Sequence, residues 1–424
     1  MISIYHRCLN VVFIVTLSLV LSACLEDVFD NQLDLSVSFP AGNNSVFPNL
    51  SLDQKGNAIL SWMKTENDQV ALQFTRRQNN QWGAVTTVAK GNDWLVNRAD
   101  FPSVVQLTET LWAAHWLVMT DSKVFAYDVW MSLSTDDGVT WNEPFRPHTD
   151  GTDSEHGFVS FFAEGEDIGA VWLDGREMVA GHGHLSHPSP SITNNVRGMT
   201  LRSTKIKANG SLYQEQVVDG LVCDCCQTDI AQTHLGAVAV FRNRSKNEIR
   251  DIHFSLLDSG RWSRSLRVAQ DDWQIAGCPV NGPSVVSINK AIGVGWYTEA
   301  KGFGEVKFAL SNEDTIQFRD PIIVDQGAHV VGQIGLAADN KRGFVVSWVT
   351  SDGGDSGGLN LRYIDRQGVL GPMKRVIDVN FLRQVGLPQL VLEGDVAVMA
   401  WTGGDSDMRR VHVKMLDLSE FQSF

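Results

Sequence analysis

The chain has 424 residues, of which 35 are basic and 49 acidic, giving a formal net charge of −14. That balance argues against nucleic acid or anionic lipid as the main partner, so any anionic ligand needs a local basic pocket. With 37 Gly, 13 Trp and 20 Phe, the composition is globular with a strand bias, and the length is ample to bury a core.

In chain order, Arg7 gives a small positive start, and Val11 to Leu21 is an apolar run too short and too early for a bilayer span. It stops at Leu21-Ser22-Ala23-Cys24, with small residues just before a cysteine. This resembles the lipobox of bacterial lipoproteins. The resemblance implies that residues 1–23 are a signal peptide and that Cys24 is lipidated and becomes the mature N-terminus. An ordinary secretory signal with an incidental cysteine is the alternative. Several acyl chains on one residue hold a soluble domain on a membrane stably. Leu25, rather than Asp, after the cysteine implies by the same resemblance the outer membrane of a bacterial envelope. Residues 24–32 form a short acidic tether, and residues 33–424 the folded domain. Export makes disulfides permissible among the cysteines beyond Cys8 and Cys24.

From there an apolar strand ending in an aromatic residue recurs. It reads Ala58-Ile-Leu-Ser-Trp62, Leu111-Trp-Ala-Ala-His-Trp116, Ile168-Gly-Ala-Val-Trp172, Ala237-Val-Ala-Val-Phe241, Ala291-Ile-Gly-Val-Gly-Trp296, Phe344-Val-Val-Ser-Trp348 and Val396-Ala-Val-Met-Ala-Trp401. The aromatics are 54, 56, 69, 55, 52 and 53 residues apart. Self-similarity at that period, with several short strands per unit, is the signature of a β-propeller. The expected fold is all-β, a propeller of about seven four-stranded blades with the aromatic strand second in each. The seventh unit stops after its third strand, Arg410 to Leu416. The run Leu33 to Phe39 is expected to supply the missing outer strand and close the ring, which removes two open edges.

The second unit ends in Ser134-Thr135-Asp136-Asp137-Gly138-Val139-Thr140-Trp141. Asp136 can accept hydrogen bonds across a tight hairpin, Gly138 supplies a positive φ, and Trp141 starts the return strand with a ring that wedges between sheets. This Ser-x-Asp-x-Gly-x-Thr-Trp pattern resembles the Asp-box, or bacterial neuraminidase repeat, of sialidase-like β-propellers. The box speaks for architecture, since it also occurs in propellers without sialidase activity. Sialidases have six blades, which makes six the alternative to seven.

In a four-stranded blade, the loop leading into strand one and the loop joining strands two and three share a face, opposite the Asp-box turns. Eighteen residues before each aromatic stand Asn44, Arg98, Ser154, Cys223, Cys278, Val330 and Arg383. Cys223 and Cys278 therefore hold equivalent places in adjacent units. Cys225, Cys226, Asp100, Glu155, His156, Asn281, His329 and Gln384 stand close by, and the longest inter-strand loop adds Asp174, Arg176, Glu177, His182, His184 and His187. The active or binding surface is expected on this crowded face, at the mouth of the axial channel.

Three readings of that face stay open, besides a propeller that only docks a glycan or protein partner. The sialidase resemblance implies an arginine cluster for a sugar-acid carboxylate or other small anionic ligand, to which Arg98, Arg176, Arg242, Arg250 and Arg383 can contribute. It also implies a tyrosine nucleophile paired with a carboxylate, met by Tyr297 beside Glu299, and a separate acid, Asp100. The family's Phe/Tyr-Arg-Ile-Pro motif is absent, with Asp100 standing where its arginine would be. Alternatively, Cys223, Cys225, Cys226 and Cys278, with His182 and His184, offer ligands that suit copper or zinc. Or a Cys223–Cys278 disulfide clamps units four and five, worth on the order of 4 kcal/mol in the chain-entropy model.

Overall fold

The computed structural model describes residues 39–121, 125–179, 197–312, 315–339, 343–380, 386–404 and 409–421. They form seven antiparallel sheets in which consecutive strands pair, except that in blades one and four the outer strand is split into two short pieces that both pair with the third strand. The fold is a seven-bladed propeller, and the six-bladed alternative does not hold. The first strands of neighbouring blades pack on one another, except between blades two and three, where the third strand of blade two takes that place. Blade seven meets blade one directly, through Asn44 N–H to Arg409 O at 3.0 Å and Val411 N–H to Ser45 Oγ at 3.0 Å.

Every aromatic of the repeat lies in a second strand: Ala58–Glu66, Trp112–Asp121, Asp167–Asp174, Gly236–Arg242, Ala291–Thr298, Gly343–Gly353 and Val396–Gly403. Trp62, Trp172, Trp296 and Trp348 are fully enclosed, and Trp116 and Phe241 nearly so. An apolar run of this kind is what a strand covered on both faces by neighbouring blades requires.

Blade two departs from the four-stranded expectation. Its three strands are Ser103–Gln106, Trp112–Asp121 and Ala126–Ser134, and its outer strand shrinks to a single bridge from Phe145 to Met131. Blade seven has three strands, ending with Arg410–Asp417. Of the expected closing strand, Leu33 to Ser38 lie outside the described residues. Phe39 packs edge-on against Trp62 and Trp82, with ring centroids 5.3 and 5.7 Å away.

The Asp-box turn has the expected hydrogen bonds and glycine, but Trp141 starts no strand; it packs edge-on against Phe74 of blade one at 6.0 Å. The Asp136 carboxylate accepts from Thr140 N–H at 2.8 Å, Thr140 Oγ1 at 2.6 Å and Ser134 Oγ at 2.8 Å. These hydrogen bonds, Thr140's first, hold it down at about 2. Gly138 sits at φ +79°, where an added Cβ would stand 3.1 Å from Phe74 of blade one. Asp137 receives a two-pronged ion pair from Arg76 of blade one.

Three first strands carry a bulge with one residue in the left-handed region: Phe47 at φ 52°, Phe158 at φ 56° and Gln333 at φ 55°. In each case a side chain of the preceding blade accepts the freed N–H. Thr402 Oγ1 takes that of Phe47 at 2.8 Å, Asp100 Oδ1 that of Phe158 at 2.8 Å, and Asn281 Oδ1 that of Gln333 at 2.6 Å. A non-glycine residue at positive φ costs roughly 1–3 kcal/mol, so these latches offset strain built into the ring.

Candidate functional site

The loop leading into blade four carries Cys223, Asp224, Cys225 and Cys226; the loop leading into blade five carries Cys278 and Asn281. Gln227 pins the first loop between blades. Its Nε2 donates to Ala99 O at 2.6 Å, and its Oε1 accepts from Gly282 N–H at 3.1 Å. The loops bring all four cysteines together as free thiols. Cys223 Sγ lies 3.8 Å from Cys225 Sγ and 3.3 Å from Cys226 Sγ. Cys225 in turn meets Cys278 and Asp224, their ligand atoms all lying within 4.8 Å of one another. The equivalence of Cys223 and Cys278 thus translates into one cluster, in which the neighbour of Cys278 is Cys225.

Charge in the cluster is uneven. Contacts from Cys225 and Cys226, followed by the Arg250 guanidinium, hold the Cys223 thiol well below its ordinary range. The three surrounding sulfurs push Cys225 up, and burial pushes Cys226 up. Cys278 is lowered by its contact with Cys225. Arg250 Nη1 lies 3.1 Å from Cys223 Sγ and 3.1 Å from Asp224 Oδ1, while Nη2 reaches Glu248 at 2.9 Å.

Cys278 also lines a cavity of about 460 Å³, with Arg98, Trp273, Tyr297, Glu299 and Gln333 among its other walls. The Tyr297 hydroxyl donates to the Glu299 carboxylate. Burial and then that carboxylate push the phenol far above its ordinary range, so it is neutral at rest. Tyr297 and Trp273 pack edge-on at 5.9 Å, and the Arg242 guanidinium covers Trp273 at 4.9 Å.

The expected arginine cluster separates. Arg98 is exposed and lines the cavity. Arg242 is buried and spends its guanidinium on backbone carbonyls: Asn281 O at 3.1 and 2.8 Å, Arg250 O at 2.7 Å and Tyr297 O at 2.8 Å. Arg250 serves Cys223, Asp224 and Glu248. Arg176 pairs with Asp174, Asp150 and Glu215. Arg383 lies outside the described residues, as do Cys24, Gln384, His182, His184 and His187.

Asp100 does not line the cavity. Besides latching Phe158, it accepts from Tyr127 OH at 3.3 Å, and Tyr127 OH stands 3.5 Å from Glu155. Burial raises Asp100 to about 7 and Glu155 to about 7, so two carboxyls share a phenol close to the charged cysteine loop. Farther out, the rings of His148 and His156 stack 3.8 Å apart between Asp128 and Asp150. Tyr127, His148, Asp150, Asp128, Asp224 and Trp273 were not singled out by sequence reasoning. Blade-to-blade packing brings them in, and they carry no local pattern.

No family model matches the chain, and no curated protein matches it. Among solved structures, it resembles a protein of unknown function from Dyadobacter fermentans at 9% identity and TM-score 0.50, over 90% of this chain and 96% of that one. It also aligns with the polysaccharide lyase Uly1, at 9% identity and TM-score 0.48, over 93% and 94% of the two chains. A sialidase from Streptococcus pneumoniae aligns at 11% identity and TM-score 0.43, over 90% of this chain and 69% of that one. The first of these likenesses supports the propeller fold.

Proposed function

We propose that this propeller is a glycan-acting lipoprotein, held at the bacterial outer membrane through Cys24 and taking an anionic sugar at the channel mouth. The observation that carries the reading is the Tyr297–Glu299 pair in the wall of the 460 Å³ cavity, with Arg98 lining the same space. Arg98 supplies a planar fork for a sugar carboxylate. Because Tyr297 is neutral at rest, its oxygen becomes a nucleophile only as Glu299 takes the phenolic proton. The oxygen then bonds to the anomeric carbon while the glycosidic bond breaks. The leaving alcohol takes a proton from solvent, and water later cleaves the aryl glycoside.

The test is a panel of aryl glycosides of neutral and acidic sugars with the mature domain, alongside Tyr297→Phe and Arg98→Ala. Turnover lost by about 10²–10⁴-fold in Tyr297→Phe, with sugar binding retained, supports hydrolysis. Binding without turnover in the unaltered protein favours a second reading, a non-catalytic glycan receptor. The commitment of Arg176, Arg242 and Arg250 to protein partners favours that alternative. Neither binding nor turnover removes both. Anchoring is checked separately: Cys24→Ala moves the protein from the membrane to the soluble fraction.

A further inference from the structure

We propose that the cysteine cluster between blades four and five is a binding site for a soft closed-shell metal cation, Cu(I) or Zn(II). The site borders the sugar cavity and is separate from the Tyr297–Glu299 chemistry.

Three sulfurs, Cys223, Cys225 and Cys226, lie within 4.8 Å of one another, and Cys278 adjoins through Cys225. The Cys223–Cys225 separation of 3.8 Å is that of two sulfurs on one ion, and Cys226 at 3.3 Å stands somewhat closer. Thiolates bound to one tetrahedral ion at about 2.3 Å stand roughly 3.8 Å apart. An all-sulfur donor set selects soft metals over the hard cations that carboxylate and carbonyl oxygens take.

The surroundings suit a charged sulfur centre. Cys223 and Cys226 are buried, and Cys225 is partly so. Arg250 places a guanidinium 3.1 Å from the Cys223 sulfur, where it offsets the negative charge of a thiolate–metal unit. That arginine is itself held by Asp224 and Glu248. Cys278 is the one exposed member and stands in the cavity wall, which gives an ion a path in and leaves a ligand position open to the cavity. Binding releases the thiol protons to solvent as metal–sulfur bonds form, with no change in oxidation state.

The competing fate of four such cysteines is oxidation, pairing Cys223 with Cys226 and Cys225 with Cys278. One experiment separates the outcomes. The mature domain, lacking the lipid site, is isolated under reducing, oxygen-free conditions. It is titrated in separate arms with Cu(I) buffered by a chromophoric chelator and with Zn(II). The expected result is retention of about one ion per chain, with thiolate-to-metal charge-transfer absorption in the Cu(I) arm. Preference between the arms identifies the metal.

Cys225→Ser and Cys226→Ser are expected to lose at least about 100-fold in affinity, the upper end of what losing an outer-shell partner alone costs. Cys278→Ser, an exposed change that leaves the core intact, is expected to weaken binding less and alter the absorption. Its unaltered melting temperature is the folding control. Free thiols that hold neither metal overturn the proposal. So does protein from an oxidising compartment with every thiol in a disulfide that reductant and metal do not displace. Loss of metal binding in Cys226→Ser, a residue outside the cavity wall, is expected to leave turnover of a glycoside by Tyr297 untouched, so the two readings fail independently.

Discussion

The carboxylate of Asp100 accepts the main-chain N–H of Phe158 at 2.8 Å, across the boundary between blades two and three. Phe158 is held at φ 56° there, and Asn281 performs the same service for Gln333 between blades five and six. The position read as a glycosidase acid is therefore, in the first place, an inter-blade latch. Nature's own substitute for it in this chain is an amide.

Asp100→Asn is thus expected to keep the latch, and Asp100→Ala to lose it at a cost of about 1–3 kcal/mol for the stranded Phe158 N–H. The pH dependence has a definite sign. Burial raises Asp100 from 3.8 to about 7, so the folded state holds the proton more tightly than the unfolded chain. Its stabilising contribution is whole below about pH 4 and is lost as pH rises through about 7. Asn cannot ionise. Asp100→Asn should therefore match the unaltered protein in urea melts at about pH 4 and exceed it at about pH 8.5. Equal midpoints at both pH values would show that the carboxyl is not buried as described.

His156 gives a handle of the same sign at higher pH, but through its charged form. Burial opposes its charge, but the Asp128 and Asp150 carboxylates, each 3.3 Å from a ring nitrogen, raise it from 6.5 to about 9. A raised histidine contributes fully below about pH 6.5, and the contribution fades as pH rises through about 9. Asp128, Asp150 and Asp174 are all held low against the opposing effect of burial, so their contribution is lost only as pH falls below about 4. His156→Gln leaves buried carboxylates short of a cation and is expected to cost about 3–5 kcal/mol near pH 6. Its denaturation midpoint should also be flatter than that of the unaltered protein between pH 6.5 and 9. A parallel offset across that window would assign the alkaline loss to another group.

Gly138 tests whether the box face is only structural. At φ +79°, alanine is strained whatever the space, and its Cβ would press on Phe74 at 3.1 Å. Gly138→Ala is expected to lower stability by about 1–3 kcal/mol while leaving sugar and metal binding at the opposite mouth unchanged. Altered ligand affinity at full folding, measured by calorimetry, would mean that the two faces communicate.

Blade number, the place of the aromatic strand and the Asp-box turn were legible because each follows from spacing along one chain. So was the meeting of two cysteine-bearing loops, since Cys223 and Cys278 lead equivalent blades. The partner choice within that meeting was not legible: Cys278 adjoins Cys225, because a loop's path decides which of three close sulfurs faces a neighbour. Tyr127 was invisible for a related reason. It opens the third strand of blade two, and only the parallel bridge from Tyr127 to Glu155 sets it between Asp100 and Glu155. Among the arginines, sequence did not tell Arg98, in the cavity wall, from Arg242, folded back onto carbonyls, because it places each near the same face but does not show where a side chain is aimed.

Arg242 and Arg98 make that distinction measurable. The buried Arg242 fork satisfies three carbonyl oxygens, of Asn281, Arg250 and Tyr297, on two blades and beneath the Trp273 ring. A lysine ammonium is a single point and does not span them. Arg242→Lys is therefore expected to strand at least one buried carbonyl, at about 1–3 kcal/mol, and to lower the melting temperature with any ligand absent. Arg98 is exposed in the cavity wall, so Arg98→Ala is expected to lower the melting temperature less than Arg242→Lys does and to weaken binding of an acidic sugar about tenfold or more. The two variants should thus dissociate, one failing in thermal denaturation and the other in sugar titration. The reverse pattern would return Arg242 to the ligand clamp and place Arg98 among the residues that hold the ring together.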